Sequence, residues 1–315
     1  MGAERDARER TGRRAPRMTV GRFAPTPSGD LHLGNLRTAL LAWCFARHDG
    51  GSFLIRVEDL TTGAAPVRSA EQLEDLAAIG VDHDGAIVAQ SERRARYDEV
   101  VELFEQRELT YRCFCSRRDI REAAAAPHGP SIEGGYPGTC ATLDAAEVER
   151  RLADGRAAAT RLRADGAVVG FTDRLLGAIE EPVDDFVIRR ADGVAAYNLA
   201  VVVDDADQGV DQIVRGDDLL HTTPRQVLVQ RLLGLPTPEY LHVALVYGPD
   251  GERLAKRHGA ISLRARLADG ATVPQMVGQL AASIGLAEPG EELAAADVLA
   301  RFDPDQLRID EQLPT

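Results

Sequence analysis

The sequence predicts an α/β protein built on a parallel sheet, and two observations carry the prediction. A short apolar lead-in, Val20–Phe23, enters a Pro- and Gly-rich turn. A helical pattern follows that stops at Asp49-Gly50-Gly51, and then a second strand, Phe53–Val57. Strand, helix and strand in that order form a βαβ unit, whose crossover makes the two strands parallel. Farther along, short apolar runs of buried-strand type, Ala200–Val203 among them, alternate with helical stripes. At 315 residues the chain can hold one large or two ordinary domains.

Each element has its own signal. Leu36, Leu40 and Trp43 set the spacing of a helix over Leu36–Arg47. Ser69-Ala70-Glu71-Gln72 reads as a capping box opening a helix that carries Leu73, Leu76 and Ala77 and ends at Gly80. Tyr97, Val100, Val101 and Phe104 form a second stripe. From Leu109 the character changes: Tyr111–Cys115 alternates like a strand, and an Ala-, Pro- and Gly-rich loop runs to Gly138. A short helix over Ala145–Leu152 has Asp144 as cap and Gly155 as stop, with strands expected at Thr160–Arg163 and Phe186–Arg189. Thr223-Pro224-Arg225-Gln226 reads as another capping box before a helix ending at Gly234, and His242–Val246 as a further strand. The expected organisation is a disordered tail (1–18), a first half-domain (19–112), an insertion (113–190), a second half-domain (191–262) and a short helical C-terminal segment (263–315).

Bulk properties exclude some functions. A net charge of -13 argues against a sequence-blind nucleic-acid binder, which needs a basic surface, though not against a local basic groove such as Arg117, Arg118 and Arg121 could form. No apolar run approaches the roughly 18–20 residues of a membrane span, and the arginine-rich start has no signal-peptide core. Four cysteines without an export signal point to a reducing compartment and to metal rather than disulfides.

Three features carry the chemistry. The turn Gly21–Asn35, with Pro25, Pro27, Gly29, His32 and Gly34, feeds a helix N-terminus, a seat for an anion or phosphate; a structural turn in which His32 caps or packs is the alternative. Lys256 lies in the basic loop Glu252–Gly259. Arg22, Glu58, Tyr197 and Arg215 lie next to predicted strand ends, where open parallel sheets bind ligands. The turn lacks both the G-x-x-x-x-G-K-[ST] and the G-x-G-x-x-G patterns. Cys113-x-Cys115 with Cys140 gives three soft ligands, and a tetrahedral zinc site needs a fourth, which His128 or Tyr136 could supply. Three buried thiols are the plainer reading, and Cys44 is read as a core residue.

Taken together, these residues resemble the class I aminoacyl-tRNA synthetases. His32-Leu33-Gly34-Asn35 is similar to their HIGH signature, with Asn35 in place of the last His. Arg253-Leu254-Ala255-Lys256-Arg257 resembles their KMSKS loop, with Arg253 and Ala255 where Lys and Ser are more usual. Arg22–Asn35, Arg56–Asp59, Tyr197–Ala200 and Ile213–Asp218 resemble the glutamyl-tRNA synthetase branch, in order from Val20 to Gly259. Only about 55 residues follow the lysine loop, too few for an anticodon-reading domain, so the resemblance narrows to the shortened paralogues, the glutamyl-queuosine tRNA(Asp) synthetases.

That resemblance implies a Rossmann-like catalytic domain split by a zinc-containing acceptor-stem-type insertion, with no anticodon-binding domain. It implies activation of glutamate by ATP without tRNA, and transfer to queuosine in tRNA(Asp). Arg22, Phe23, Ala24, Pro25, Thr26, Glu58, Tyr197 and Arg215 are then expected at glutamate, and His32, Gly34, Asn35 and Lys256 at ATP, with His32 and Lys256 as the catalytic pair. The metal set becomes Cys113, Cys115, Tyr136 and Cys140, after the family's Cys-x-Cys and Tyr-x-x-x-Cys pattern, and His128 stays open as the fourth ligand. Mg²⁺ is expected with ATP. The partners implied are ATP, L-glutamate and the anticodon arm of tRNA(Asp), for a cytoplasmic monomer with no membrane contact. A truncated glutamyl-tRNA synthetase charging a 3′ end and a catalytically silent binding paralogue are the alternatives.

Overall fold

The computed structural model describes residues 18–48, 50–60, 66–124, 135–247 and 262–309. The first strand, β1 (Val20–Phe23), feeds α1 (Leu33–His48), and the chain returns to β2 (Ser52–Val57). The two strands are parallel and in register from Val20 opposite Ser52 to Phe23 opposite Ile55. Strand and helix lie so close that a Cβ on Gly21 would sit 2.9 Å from the Ala46 Cβ, so only glycine fits there.

Next come α2 (Pro66–Ala78), the short β3 (Val88–Ala89) and α3 (Arg94–Gln106). A small antiparallel sheet in the order β4-β5-β8 follows, made of β4 (Thr110–Cys113), β5 (Ala159–Leu162) and β8 (Phe186–Arg189), and it is accompanied by α4 (Arg117–Ala124) and α5 (Ala145–Ala153). Between β5 and β8 the chain makes the hairpin β6 (Val168–Asp173) and β7 (Gly177–Pro182). The second half supplies α6 (Tyr197–Asp207), β9 (Gln212–Gly216), a 3₁₀ turn at Asp217–Thr222, α7 (Thr223–Leu233) and β10 (Glu239–Val243). Three helices then close the described chain: α8 (Leu263–Ala268), α9 (Val273–Ala282) and α10 (Ala295–Arg301).

Among the described residues the main sheet has seven strands in the order β3-β2-β1-β9-β10-β6-β7, with only β7 antiparallel to its neighbour. Strand order reverses between β1 and β9. The loops leaving those two strands therefore diverge, opening a crevice at the carboxyl end of the sheet. Helices cover both faces. One apolar cluster joins α1, α9 and α10 to the sheet through Leu40, Phe45, Leu280 and Val298. The other joins α3, α6 and α7 through Phe104, Val202 and Val227. The buried strands serve both: Ile213 and Tyr240 face the second cluster, Val214 and Leu241 the first. Burying a side chain such as Leu40, which is fully covered, contributes about 1.5–3 kcal/mol.

The structure departs from the sequence expectations in four places. Ala200–Val203 is not a strand but the middle of α6, where Leu199 through Asp205 are all buried. A short, continuously apolar run suits a buried helix as well as a buried strand. Ser69–Gln72 is not a helix start, because α2 already begins at Pro66. The Thr223–Gln226 box does not form either. Thr222 is the cap residue of α7 and makes no side-chain cap bond, while the Thr223 hydroxyl is engaged elsewhere. Finally, the last core strand is Glu239–Val243 rather than His242–Val246. Within the span 113–190, the β6–β7 hairpin extends the main sheet rather than the small one. Among the described residues no helix is long and apolar enough to cross a membrane.

Candidate active site

The turn after β1 is held rigidly from three sides. The Glu58 amide donates to the Pro25 carbonyl at 2.9 Å, which ties the turn to the end of β2. From α2, the Gln72 carboxamide donates to the carbonyls of Thr26 and Gly29 at 3.2 and 2.7 Å. At the start of α1, His32 and Asn35 cap the helix reciprocally: the Asn35 amide donates to His32 Nδ1 and the His32 amide to Asn35 Oδ1, each at 3.2 Å. The capping role considered for His32 is therefore real. It also fixes the ring, since an Nδ1 that accepts leaves the proton of the neutral imidazole on Nε2. A Cβ on Gly34 would come within 3.1 Å of this ring, so glycine keeps the imidazole in place.

Beneath the turn lies a buried charge network. Arg56 is fully covered, donates to Asp205 Oδ1 at 2.7 Å and to Gln208 Oε1 at 2.9 Å, and reaches Glu58 Oε1 at 3.4 Å. Arg22 shares the same carboxylate, its Nε lying 3.2 Å from Asp205 Oδ1. Next to it, Asp204 accepts from Gln90, Arg93 and Tyr97. Burial opposes ionisation of Asp205, but the two guanidiniums outweigh it and hold its pKa below the usual carboxylate value. For Glu58 burial prevails and the pKa rises, because Arg56 and Arg22 compensate it only in part.

Arg215 is built differently. It is 5% exposed, yet its partners are all neutral: Nε donates to His242 Nε2 at 3.0 Å, Nη1 to Gln226 Oε1 at 2.9 Å and Nη2 to Thr223 Oγ1 at 2.7 Å. Among the described residues no carboxylate forms an ion pair with it. Of the five N–H groups of a guanidinium, three are used. One remains on each terminal nitrogen, the pair that a carboxylate takes in a fork.

Arg22, Phe23, Ala24, Pro25, Thr26, His32, Gly34, Asn35, Glu58, Tyr197 and Arg215 all line a single cavity of about 640 Å³. Its position is the crevice between the loops after β1 and β9. Burial raises the pKa of the Tyr197 phenol, which keeps it a hydrogen-bond donor at neutral pH. Lys256 and its loop lie outside the described residues. The side chains behind the cavity, namely Arg56, Asp205, His242, Thr223 and Gln226, are not among the site residues expected from the sequence, because their partners come from other strands and helices.

A second cluster lies at the small sheet. The Sγ atoms of Cys113, Cys115 and Cys140 lie within 4.8 Å of one another, with Cys115 and Cys140 at 3.5 Å. Tyr136 Oη stands 3.4 Å from Cys113 Sγ and 3.8 Å from Cys115 Sγ. Donors on a tetrahedral zinc, bonded at about 2.0–2.3 Å, are separated by roughly 3.5–3.8 Å, so the three thiols are compatible with zinc, and the phenol oxygen lies beside two of them. The Cys140 amide donates to Tyr136 Oη at 2.9 Å, and the Arg161 guanidinium lies 3.5 Å from the ring centroid, while burial and the bond to Cys113 hold the phenol pKa well above its usual value. His128 lies outside the described residues. Buried Cys44 belongs to the main core, and burial pushes its thiol up to about 12.

The chain matches the family "tRNA synthetases class I (E and Q), catalytic domain" over residues 18–298. It is 55% identical to the glutamyl-Q tRNA(Asp) synthetase of Nocardia farcinica, over 91% of this chain and 90% of that protein. To the protein of the same name from Symbiobacterium thermophilum it is 45% identical, over 91% and 93%. It is 40% identical to glutamate–tRNA ligase 1 of Halorhodospira halophila, over 92% of this chain but 66% of the relative. Among solved structures, the glutamate-tRNA synthetase of Elizabethkingia anophelis superposes with a TM-score of 0.82 at 24% identity, over 95% of this chain and 68% of that one, a likeness of fold.

Proposed function

Because the chain belongs to the class I tRNA synthetase family for E and Q, a family of ligases, we propose that it activates glutamate with ATP, without tRNA, and transfers the glutamyl group to queuosine in tRNA(Asp). The observation that carries the amino-acid part is Arg215, a buried cation in the cavity wall whose partners among the described residues are all neutral. A buried charge without a counter-ion is costly, and a substrate carboxylate would supply one. Arg22 supplies a second cation, and Glu58 a carboxylate for the α-ammonium. The ammonium offsets the burial that now disfavours the Glu58 charge. Phe23, Ala24, Pro25 and Thr26 form the wall and Tyr197 adds a hydroxyl donor. The relatives named for glutamyl-Q tRNA(Asp) support the acceptor.

In this reading ATP lies over the start of α1, where Gly34 lets the chain approach, Asn35 closes the cap and the Nε2–H of His32 is a donor suited to phosphate. Lys256 is assigned to the phosphates by its motif. An oxygen of the glutamate α-carboxylate attacks the α-phosphorus, the bond to the bridging oxygen breaks and pyrophosphate leaves. A hydroxyl of the queuosine cyclopentenediol then attacks the adenylate carbonyl, loses its proton and expels AMP. No side chain becomes covalently linked, so catalysis rests on positioning and charge stabilisation. Mg²⁺, bound with ATP, supplies charge neutralisation. Cys113, Cys115, Tyr136 and Cys140 would hold a structural zinc. A monomer working in the cytoplasm on the anticodon arm completes the reading.

The test is glutamate-dependent exchange of labelled pyrophosphate into ATP without tRNA. Exchange with glutamate, and not with glutamine or aspartate, is expected. Exchange that appears only when tRNA is added would overturn the tRNA-independent step and favour a glutamate–tRNA ligase.

A further inference from the structure

We propose that Asp173 and His242 form a positioning pair that sets the orientation of Arg215 for the substrate carboxylate. Asp173 closes β6 and His242 lies on β10, next to β9, which carries Arg215. The three therefore meet across adjacent strands, although far apart in sequence. Asp173 and His242 are both about 1% exposed. The inference rests on the reading of the cavity as a glutamate site.

The hydrogen bonds allow only one arrangement of the imidazole. The Arg215 Nε–H can only donate, so His242 Nε2, 3.0 Å away, must accept. The proton of the neutral ring is then on Nδ1, which donates to Asp173 Oδ2 at 2.7 Å. Asp173 is itself oriented by three amides: those of Leu175 and Leu176 donate to Oδ1 at 2.9 and 3.0 Å, and that of His242 to Oδ2 at 3.0 Å. Tyr240 stacks on the imidazole, with ring centroids 5.9 Å apart and an interplanar angle of 13°. Both ring positions and the ring plane are thereby set. The acceptor facing Arg215 Nε in turn fixes the plane in which the two remaining N–H groups of the guanidinium lie.

The charges around His242 are consistent with a neutral ring. Arg215 opposes its protonation, Asp173 and the nearby Asp217 favour it, and burial prevails, holding its pKa below the ordinary 6.5. The β6–β7 hairpin, an addition to the parallel core, thus contributes Asp173 to the support of the amino-acid site.

Two substitutions of similar polarity separate positioning from plain packing. In His242→Asn the amide can still donate toward Asp173 but no acceptor reaches Arg215. In His242→Gln the longer side chain can place its carbonyl where Nε2 was. In pyrophosphate exchange, H242N is expected to raise the KM for glutamate at least about tenfold, the usual effect of losing a charge-assisted hydrogen bond. The KM for ATP should stay within about twofold, and H242Q should recover most of the loss. Should H242N fail to fold, Asp173→Asn gives the same reading, because the ring keeps its place but loses the carboxylate that selects its tautomer. Equal effects of H242N and H242Q, or a parallel rise in both KM values, would overturn the positioning role while leaving wild-type glutamate activation standing. A wild-type enzyme without glutamate-dependent exchange would overturn both.

Discussion

Several single residues here serve both the fold and the site. His32 is at once the cap of α1 and a wall of the cavity, so its ring orientation depends on the residue that leaves room for it. In Gly34→Ala the added methyl would lie 3.1 Å from two ring atoms, tighter than ordinary contact, and the imidazole must shift by a few tenths of an ångström. We expect the KM for ATP to rise about tenfold, equivalent to about 1.4 kcal/mol, with the KM for glutamate unchanged, as initial-rate kinetics would show. A rise in the glutamate value instead would place His32 at the amino acid. The ionic residues were legible in sequence only as types. Arg22 and Arg215 look alike there, each a lone arginine at a strand end. Their difference, one shared with Asp205 and the other held by neutral groups, depends on which strands are neighbours.

At the scale of elements, β1, β2 and β8 and the stripe of α3 could be read directly, because pattern, length and turn signals agree there. The α6 helix could not, since its apolar run has no alternation to separate strand from helix. The β6–β7 hairpin did carry a signal: Val169, Phe171 and Asp173 alternate inward along β6, with a Gly-closed turn after them, but one charged position among them hid the pattern. The α6 helix has a second role. Its Asp205 is the shared counter-ion of Arg22 and Arg56, which links the helix to both β1 and β2. Asp205→Asn leaves two buried guanidiniums undercompensated and should cost about 3–5 kcal/mol in urea unfolding. Because the folded pKa of Asp205 is depressed, its stabilisation is complete above the unfolded value of 3.8 and is lost as pH falls through the folded value. The variant should lack that part of the acid loss. A variant as stable as wild type would show the network to be dispensable.

For the molecule as a whole, the fold brings together two distant stretches, the turn after β1 and the end of β9, and places a cysteine cluster on a separate small sheet. The cluster is coupled to the second half of the chain. Asp184 accepts from the Tyr136 amide at 2.8 Å and from Arg225 of α7 at 2.6 Å, and α7 carries the Thr223 and Gln226 that hold Arg215. Removing a bound zinc with a chelator should therefore release one equivalent of metal and lower the melting temperature. Metal analysis finding less than a tenth of an equivalent in freshly purified protein would contradict the zinc assignment. The overall charge of -13 requires any RNA contact to be local. The most direct measurement gives the enzyme labelled glutamate, ATP and tRNA(Asp), with or without queuosine, and maps the label after nuclease cleavage. Transfer to queuosine predicts label in the anticodon-arm fragment of the queuosine-containing tRNA and none in tRNA lacking it. Label in the 3′-terminal fragment, independent of queuosine, would contradict it.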